Sequence, residues 1–512
     1  MWAGLLFPSL PLDVFARAFA DTDHIRPFVV TSGGHHPQVI AANAAARNAG
    51  IKRGQLISAA LALAPEVALR ERDLEAESAA LAGLATLSLV FTPKVCLAPP
   101  SSIVAEIGAS RTLFGGLPNL LSRLVHDIEA RGYTLSLGLA PTPEAALLLA
   151  RARDSTPVLH PDELPAVLAT IELAQSGIEP TIVEALDAAG VTTFGQAAAL
   201  PRDGLARRFG DDIVAFIDRA LGRRPDPRTP FMPPPHFSRR LDLPAPVSDG
   251  EALGFALHRL VGELSTWLTV RGLGVTRLAL ELAHERYLRE RGMAPTIVSF
   301  ALGAPAREGA HLFGTLRERL ARVVLPAPVE RITLASEDVA PLASRNLGLL
   351  PGDNAQAVGV PLLDRLRARL GDDAVVLLAP HADHRPELAS RMKKLGAATP
   401  AHAFIEKSSR ASLSRHGDNP TQPRQPGSVE TRFPPRPLWL LNEPQPLCAL
   451  LEAQPWVLKD GPERIESGWW DGRDFRRDYF VAESPKGELV WIYRDHRYGL
   501  EAGEWFLHGL FA

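Results

Sequence analysis

Cysteine and long apolar runs are both scarce in this chain of 512 residues. The 2 cysteines, Cys96 and Cys448, lie far apart in the sequence and support neither a disulfide framework nor a structural zinc site. No segment reaches the ~18 uncharged apolar residues of a membrane-spanning helix. The first residues also lack the basic start of a signal peptide. Together these absences predict a cytoplasmic protein that does not contact a membrane.

An excess of basic residues is missing too, because the formal net charge is −3. Many nucleic-acid-binding proteins show such an excess, so the total charge does not point to that class. Hydrophobic residues make up 46% and charged residues 22% of the chain, as in ordinary globular domains, which excludes a mostly disordered protein. Tryptophan is unevenly distributed. Most of the 8 tryptophans lie near the C-terminus, at Trp439, Trp456, Trp469, Trp470, Trp491 and Trp505.

Hydrophobic periodicity predicts an α+β protein built from several domains. Up to about residue 160, short apolar strands alternate with helices, and the first strand, residues 2–7, ends at Pro8. Residues 165–231 contain short helices separated by glycine and proline, without a strand pattern. Residues 236–336 follow the order β-α-β-β-α-β, which is typical of a split βαβ sandwich. Residues 436–512 are predicted to be all β.

A proline-rich segment, residues 396–435, precedes this β region and is predicted to be a flexible, disordered tether. From Arg391 to Arg436 the chain has nine Lys or Arg against three Asp or Glu. Two interpretations stay open. The segment is either a solvated linker or a basic arm that is attracted to DNA phosphates without sequence specificity.

Several motifs resemble those of the Y-family (translesion) DNA polymerases, the UmuC/DinB-like proteins. Residues 39–47 (Val-Ile-Ala-Ala-Asn-Ala-Ala-Ala-Arg) with Gly50-Ile51 resemble the fingers motif, whose arginine contacts nucleotide phosphates. Residues 137–141 resemble a palm strand and turn, and residues 177–194 resemble the thumb helix-hairpin-helix. Residues 10–15, 113–116 and 461–472 and the end of the chain, 505–512, are similar to the Y-family-like subunits of the bacterial SOS mutasome.

The resemblance implies a Y-family polymerase fold with additional C-terminal parts. The implied domains are palm and fingers (1–164), a helix-hairpin-helix thumb (165–231), a little finger (232–345), a clamp-motif segment with a helical extension (346–395), the basic linker (396–435) and a β-rich partner-binding domain (436–512).

The same resemblance implies that the metal-binding carboxylates of an active polymerase are missing. Pro8, Ser101 and Ser102 stand at their positions, and the nearby acids are Asp13 and Glu106. Nucleotidyl transfer needs paired Mg²⁺ ions held by carboxylates, so we expect no metal, no cofactor and no catalysis. Arg47 is expected to be a remnant of the nucleotide-phosphate site. The alternative is a weakly active translesion polymerase that uses Mg²⁺ through Asp13 and Glu106.

Without catalysis, the expected role is that of a scaffold for mutagenic DNA repair after damage. Gly177, Ile178 and Gly190 would contact DNA, although Glu179 or Pro180 replaces the second hairpin glycine; plain helix packing is the other interpretation. A pentapeptide resembles the bacterial sliding-clamp motif, with Asn in place of Gln. Its expected clamp-binding residues are Asn346, Leu347, Leu349 and Leu350.

The tail is expected to bind proteins. By resemblance, the partners of residues 436–512 are a DnaE-type error-prone polymerase, a RecA-like ImuA-type protein, or both, while other parts of the chain bind primer-template DNA. The expected contact residues are Trp469, Trp470, Trp505 and Phe506. The other interpretation is that these aromatic residues form the core of a small β domain.

Overall fold

The structure, a computed structural model, describes most of the chain. The described residues are 1–17, 26–154, 156–250, 253–342, 355–371, 373–394, 436–447, 456–470, 472, 475–484, 486–496 and 504–511. The chain divides into two compact units, Met1–Arg369 and Leu370–Ala512. The first contains α and β elements in several subdomains and the second is rich in β strands, which confirms the predicted α+β multidomain class with a separate C-terminal β-rich region.

The first subdomain holds two sheets. Its strands are β1 (Trp2–Leu6), β2 (Phe28–Thr31), β3 (Val39–Ala42), β4 (Ala68–Glu71), β5 (Val95–Ala98), β6 (Ser102–Glu106) and β7 (Ser136–Ala140). Its helices are α1 (Leu10–Ala16), α2 (Ala44–Asn48), α3 (Ile57–Leu63), α4 (Leu74–Ser88), α5 (Leu117–Glu129) and α6 (Pro143–Ala152). The palm sheet has the order β5-β6-β1-β7, and the fingers sheet has the order β3-β2-β4.

Helix α6 lies so close to the palm sheet that only glycine fits beneath it. Gly4 on β1 is paired with Gly138 on β7. A Cβ atom at Gly4 would lie 2.4 Å from the carbonyl oxygen of Ala146, and one at Gly138 would lie 2.3 Å from it. Residues 143–150 of α6 are all buried, including the carboxylate of Glu144. The helix therefore forms the centre of the palm rather than an amphipathic cover.

The thumb is helical, as the absence of a strand pattern predicts. Its helices are α7 (Leu164–Leu168), α8 (Leu173–Ser176), α9 (Pro180–Asp187), α10 (Phe194–Ala199), α11 (Arg202–Phe209) and α12 (Asp211–Ala220). The segment that follows is held against the palm. Arg228 forms an ion pair of 2.7 Å with Glu144, and the Phe231 amide donates to the Val95 carbonyl at 2.7 Å.

The next subdomain has the predicted β-α-β-β-α-β order, with one short extra helix between its second and third strands. The strands are β8 (Ser238–Val247), β9 (Leu273–His284), β10 (Thr296–Ala306) and β11 (Val329–Pro341), and the helices are α13 (Gly254–Arg271), α14 (Arg286–Glu290) and α15 (Gly309–Leu320). The sheet order is β10-β9-β11-β8. Apolar residues of α13 and α15 pack on one face of the sheet to form its core.

A buried ionic cluster joins this subdomain to the palm. The Arg17 guanidinium, at the end of α1, donates to the Tyr133 hydroxyl and to the Glu263 carboxylate on α13. The second carboxylate oxygen of Glu263 lies 3.5 Å from Nε of Arg239. Arg131 adds a hydrogen bond of 2.8 Å to the Thr266 hydroxyl. Because these groups are buried, the contact fixes the position of α13 on the palm.

A further helix, α16 (Ala355–Leu370), docks on the little finger. The buried Asp364 carboxylate accepts a hydrogen bond of 2.8 Å from the Gly303 amide and lies 3.2 Å from Nε2 of His311. Helix α16 is therefore anchored to β10 and α15, which both belong to the first unit.

The second unit contains a two-stranded and a five-stranded sheet. The strands are β12 (Val376–Pro380), β13 (Ser390–Lys394), β14 (Trp439–Pro446), β15 (Val457–Ser467), β16 (Phe475–Glu483), β17 (Leu489–Asp495) and β18 (Trp505–Leu510). The larger sheet has the order β14-β18-β17-β16-β15. The unit begins at Leu370, so it includes part of the predicted 346–395 extension.

Candidate functional site

The three positions expected to hold metal ligands in an active polymerase lie together at one end of the palm sheet. Leu6, near the end of β1, is paired with Ser102 on β6. The Phe7 amide donates to the Ser101 carbonyl at 2.9 Å, so Pro8 follows directly beside this pair. Ser102 is buried, at 4% exposure. The chain thus presents a pyrrolidine ring and two neutral hydroxyls at this edge.

Glu106 does not lie near this edge, so its description as a nearby acid is wrong. It is paired with Trp2 at the other end of β1, and it lies four positions along the strand from Ser102, about 13 Å at ~3.3 Å per residue. Its carboxylate contacts the Met1 ammonium at 3.0 Å and accepts from the Gly108 amide at 2.9 Å. Burial raises the pKa of Glu106, but these donors outweigh burial and hold the pKa below its usual value.

Asp13 is the acid closest in sequence to Pro8, but it belongs to helix α1 rather than to the strand end. Its side chain is buried, at 7% exposure, and accepts a hydrogen bond of 2.9 Å from the Thr134 amide. Burial raises the pKa of Asp13 to about 6, although the Thr134 amide and Arg17 act in the opposite direction. A single buried carboxylate of this kind is a poor ligand for a pair of divalent cations.

Asp13 lines a cavity of about 470 Å³ between the palm and the fingers. On the fingers side the lining includes Arg26, Asn43, Ala44 and Arg47. Asn43 organises this wall, because its Oδ1 accepts from the Ala46 amide at 2.9 Å and caps α2. Two arginines of the fingers, Arg26 and Arg47, thus line the same cavity as Asp13.

Arg47, the expected phosphate remnant, is exposed on α2 and lines the cavity. Its Nη1 donates to the Ala42 carbonyl at 2.6 Å. Ala44, one turn earlier, is exposed and offers only a methyl group. The fingers thus present a cation at Arg47 and a methyl group at Ala44 to this cavity.

The thumb residues expected to contact DNA lie in two separate turns. Gly177, with φ +82°, precedes α9, and Gly190, with φ +78°, follows it. The 8 residues of α9 separate these turns by roughly 12 Å, at ~1.5 Å per residue. The Ile178 amide donates to the Ser176 hydroxyl at 3.2 Å, so it is already engaged. A Cβ atom at Gly177 would lie 2.7 Å from the Arg151 guanidinium carbon, the movable end of a side chain, so the positive φ is the stronger reason for glycine here.

The clamp-motif residues Asn346, Leu347, Leu349 and Leu350 lie outside the described residues, as does the linker 396–435. The described neighbours of the motif are β11, which ends at Pro341, and α16, which begins at Ala355. Strand β11 belongs to the little-finger sheet, where it pairs with β9. Helix α16 is held to the little finger by the hydrogen bond between Asp364 and Gly303.

The four tail aromatics expected to bind partners fall into two groups. Trp469 and Trp470 are 80% and 58% exposed, in the turn after β15, with their rings edge to face at 5.5 Å. Trp505 and Phe506 are half-buried on β18. Trp505 packs on Phe480 at 5.2 Å, and Phe506 stacks on Tyr493 at 5.2 Å. The structure therefore brings Trp469 and Trp470 to the surface and builds Trp505 and Phe506 into the sheet.

Sequence reasoning missed the buried polar cluster on one face of the tail sheet. The Tyr479 hydroxyl lies 2.9 Å from Nδ1 of His508, which is fully buried. Burial lowers the pKa of His508 to about 4, so its ring is neutral at pH 7. Arg477 on β16 donates to Glu387, 90 residues earlier, at 2.7 Å. No local pattern in the sequence signals a pair so far apart.

Comparisons with known proteins agree with this architecture. Residues 14–151 match the model of the impB/mucB/samB family. Protein ImuB of Caulobacter vibrioides, from strains NA1000 / CB15N and ATCC 19089 / CIP 103742 / CB 15, is 28% identical over 498 residues, which cover 90% of this chain and 100% of ImuB. The chain is similar to ImuB over nearly its whole length. The resemblance that the sequence motifs indicated is thereby confirmed.

Solved structures give a weaker match. DinB from Sulfolobus solfataricus aligns with 67% of this chain and all of its own, at 17% identity and a TM-score of 0.36. A post-insertion binary complex of Dbh DNA polymerase aligns with 67% of this chain and 99% of its own, at 18% identity and a TM-score of 0.37. Superpositions at this level carry no argument about chemistry. In the described part of the chain, no helix is long and apolar enough to cross a bilayer.

Proposed function

We propose that this chain is a catalytically inactive Y-family-like scaffold for damage-induced mutagenesis. It would work in the cytoplasm, holding primer-template DNA and the sliding clamp and recruiting a polymerase that performs translesion synthesis. The observation that carries the proposal is the palm edge, where Pro8, Ser101 and Ser102 lie side by side. A polymerase of this fold needs acids at these three places.

The residues present do not fit a pair of Mg²⁺ ions. Pro8 has no side-chain oxygen, the Ser102 hydroxyl is buried, and Glu106 is bound to the Met1 ammonium at the far end of the strand. Among the described residues, no three His, Cys, Asp or Glu side chains are placed to hold a metal ion. Mg²⁺ would be a cofactor only if the alternative, a weakly active translesion polymerase, were true.

Primer extension by the purified full chain tests the proposal. We expect no extension with Mg²⁺ or Mn²⁺ at protein concentrations above that of the primer. Extension that persists through purification and is lost in Asp13→Asn or Glu106→Ala would support the alternative, because a contaminating polymerase would not respond to these changes.

DNA contact is proposed for the thumb, through the turns at Gly177–Ile178 and Gly190, and for the basic linker 396–435. Exposed arginines of the thumb support this part of the proposal. Arg207 and Arg208 lie in the last turn of α11, and among the described side chains neither forms an ion pair. Unpaired guanidinium groups are the ones that can release counterions from DNA phosphates.

Clamp binding is proposed for Asn346, Leu347, Leu349 and Leu350. Leucine side chains in an apolar pocket, with an amide at the head of the motif, are a sufficient anchor for a peptide of this length. Support comes from the attachment of both flanks, β11 and α16, to the little finger. Leu349→Ala with Leu350→Ala should abolish clamp binding, and unchanged affinity would refute this step.

Protein recruitment is proposed for the tail, with the exposed Trp469 and Trp470 as its main contacts. Indole rings that are solvated in the free protein gain much when a partner pocket covers them. The proposed partners are a DnaE-type polymerase and a RecA-like ImuA-type protein. Trp469→Ala with Trp470→Ala should weaken at least one of these associations, whereas Trp505→Ala should act mainly by destabilising the sheet.

A further inference from the structure

Trp470, one of the two exposed tryptophans of the tail, lies near a segment that precedes the linker in the sequence. The segment consists of β12, β13 and the turn Pro386–Leu388 between them, and it belongs to the same compact unit as the five-stranded sheet. Residues 373–394 and 436–511 are thus two pieces of one unit, and the linker interrupts it instead of preceding it.

One contact that joins the two pieces is a buried ion pair. The Arg477 guanidinium lies between two rings, with its carbon 4.0 Å from the centre of Phe475 and 4.1 Å from that of Tyr493. It donates to Glu387 at 2.7 Å, and its Nε lies 3.7 Å from Asp495. Glu387 therefore supplies a carboxylate to a cation buried in the sheet.

A second contact reaches the tryptophan pair itself. Arg385 is 6% exposed, and its guanidinium carbon lies 5.9 Å from the centre of the Trp470 ring. Asp383 holds this guanidinium through hydrogen bonds of 3.0 Å to Nε and 2.8 Å to Nη2. A guanidinium within about 6 Å of an indole face is attracted by the ring. The arginine is thus fixed by a carboxylate of its own hairpin and directed at an indole on the other side of the linker.

We propose that Arg385 is a positioning residue for the partner-binding tryptophan pair. Asp383 orients Arg385, Arg385 holds the Trp470 ring, and Trp470 supports Trp469 edge to face. The partner that fits this surface is a protein with an apolar pocket that takes the two indole rings. This inference rests on the proposed recruitment by Trp469 and Trp470, and it adds that residues 436–512 alone are an incomplete binding surface.

The test uses the full chain labelled with 5-fluorotryptophan. The ¹⁹F signals of Trp469 and Trp470 are assigned through Trp469→Phe and Trp470→Phe. Arg385→Ala should move the Trp470 signal and weaken binding of the purified RecA-like partner or DnaE-type polymerase by roughly threefold, the range of one cation–π contact. Arg385→Lys, which keeps the charge, should restore part of both effects. Lys393→Ala, an exposed basic residue of the same hairpin, is the matched control and should change neither.

The two proposals fail in different ways. If Trp469→Ala with Trp470→Ala leaves both partner affinities unchanged, the proposal that the tryptophans recruit a partner is refuted. The ¹⁹F shift of Trp470 in Arg385→Ala still tests the Arg385 contact. If this double variant binds poorly but Arg385→Ala changes neither the Trp470 signal nor the affinity, the positioning role of Arg385 is refuted. Recruitment by the tryptophans is then still supported.

The two-piece unit is tested by cutting the linker. A protease site placed within residues 396–435 of the full chain allows cleavage after folding. The tail should remain bound to the rest of the chain on gel filtration, and Glu387→Ala should release more of it than Glu387→Gln, which can still accept a hydrogen bond. Complete separation of the tail from the N-terminal fragment after cleavage would overturn the inference.

Discussion

Arg17 and Glu263 form a buried ion pair between the palm and the little finger, 246 residues apart in the sequence. Their side chains are 8% and 13% exposed. A buried pair contributes little net stability compared with apolar residues, but removal of one partner leaves an uncompensated charge. The pair therefore sets where α13 lies on the palm more than how strongly it is held.

Glu263→Ala should lower the free energy of unfolding by about 3–5 kcal/mol, because Arg17 would stay buried without its carboxylate. Urea denaturation followed by circular dichroism measures this. The matched control is Glu290→Ala, which breaks the exposed pair with Arg286 at 2.8 Å and should cost less than about 1 kcal/mol. A double variant, Arg17→Met with Glu263→Leu, should recover most of the loss; equal losses for both ion pairs would contradict the account.

Asp13→Asn should change how stability depends on pH. The pKa of Asp13 is raised to about 6 in the folded chain, so the native state binds more protons than the unfolded state between its unfolded value and pH 6. In this window the wild-type free energy of unfolding falls as pH rises, by about 2–3 kcal/mol at most. The free energy of unfolding of Asp13→Asn should not show this fall. Relative to the wild type, the variant should therefore become more stable as pH rises from 4 to 7. The same change at an exposed acid, Asp212→Asn, is the control. Identical pH profiles of stability for Asp13→Asn and the wild type would contradict the raised pKa of Asp13.

Gly138→Ala should destabilise the palm, because its new methyl group would lie 2.3 Å from the Ala146 carbonyl oxygen. Overpacking of this kind typically costs about 1–3 kcal/mol. Gly262→Ala, in helix α13, is the control, since no atom outside its own stretch of helix lies within 4 Å of the place that the new methyl group would occupy. This change should stabilise the chain by about 0.5–1 kcal/mol. Thermal unfolding compares the two, and a neutral Gly138→Ala would mean that α6 can move away from the sheet.

The salt dependence of DNA binding should separate paired from unpaired arginines. Arg207→Ala with Arg208→Ala should reduce the slope of log affinity against log salt by about 2, one for each lost phosphate contact. Arg277→Ala on the little finger is the control, because this arginine lies 3.2 Å from Asp338 and is already neutralised. Titration of a primer-template duplex at several salt concentrations gives the slopes. A larger effect for Arg277 would place the DNA on the little-finger sheet.

Much of the fold could be predicted from the sequence because its elements carry strong local patterns. The β-α-β-β-α-β order of the little finger and the helical thumb follow from apolar spacing and from glycine and proline. Strand β4, Ala68–Glu71, has an almost fully exposed pattern and therefore no alternation to detect. The pairing of Glu387 with Arg477 joins residues 90 apart, so the extent of the second unit depends on a tertiary contact that no local pattern contains.

The candidate site was predictable in part. The juxtaposition of Pro8 with Ser101 and Ser102 follows once β1 and β6 are recognised as neighbouring palm strands. The position of Glu106 was missed because the strand register, and not the sequence distance, decides which end of β6 faces Pro8. Likewise, the sequence does not show which tail aromatics are exposed. Trp469 and Trp470 are exposed because they lie in a turn, whereas Trp505 and Phe506 are packed because they lie on a strand.

Reconstituted lesion bypass decides whether this chain is a scaffold or a polymerase. The reaction contains a clamp-loaded primer-template with a lesion, this chain, the RecA-like partner and the DnaE-type polymerase. We expect bypass to disappear when the metal-binding carboxylates of the DnaE-type polymerase are replaced, and to persist when this chain carries Asp13→Asn. Bypass that survives inactivation of the DnaE-type polymerase and is lost with Asp13→Asn would show that this chain performs the synthesis itself.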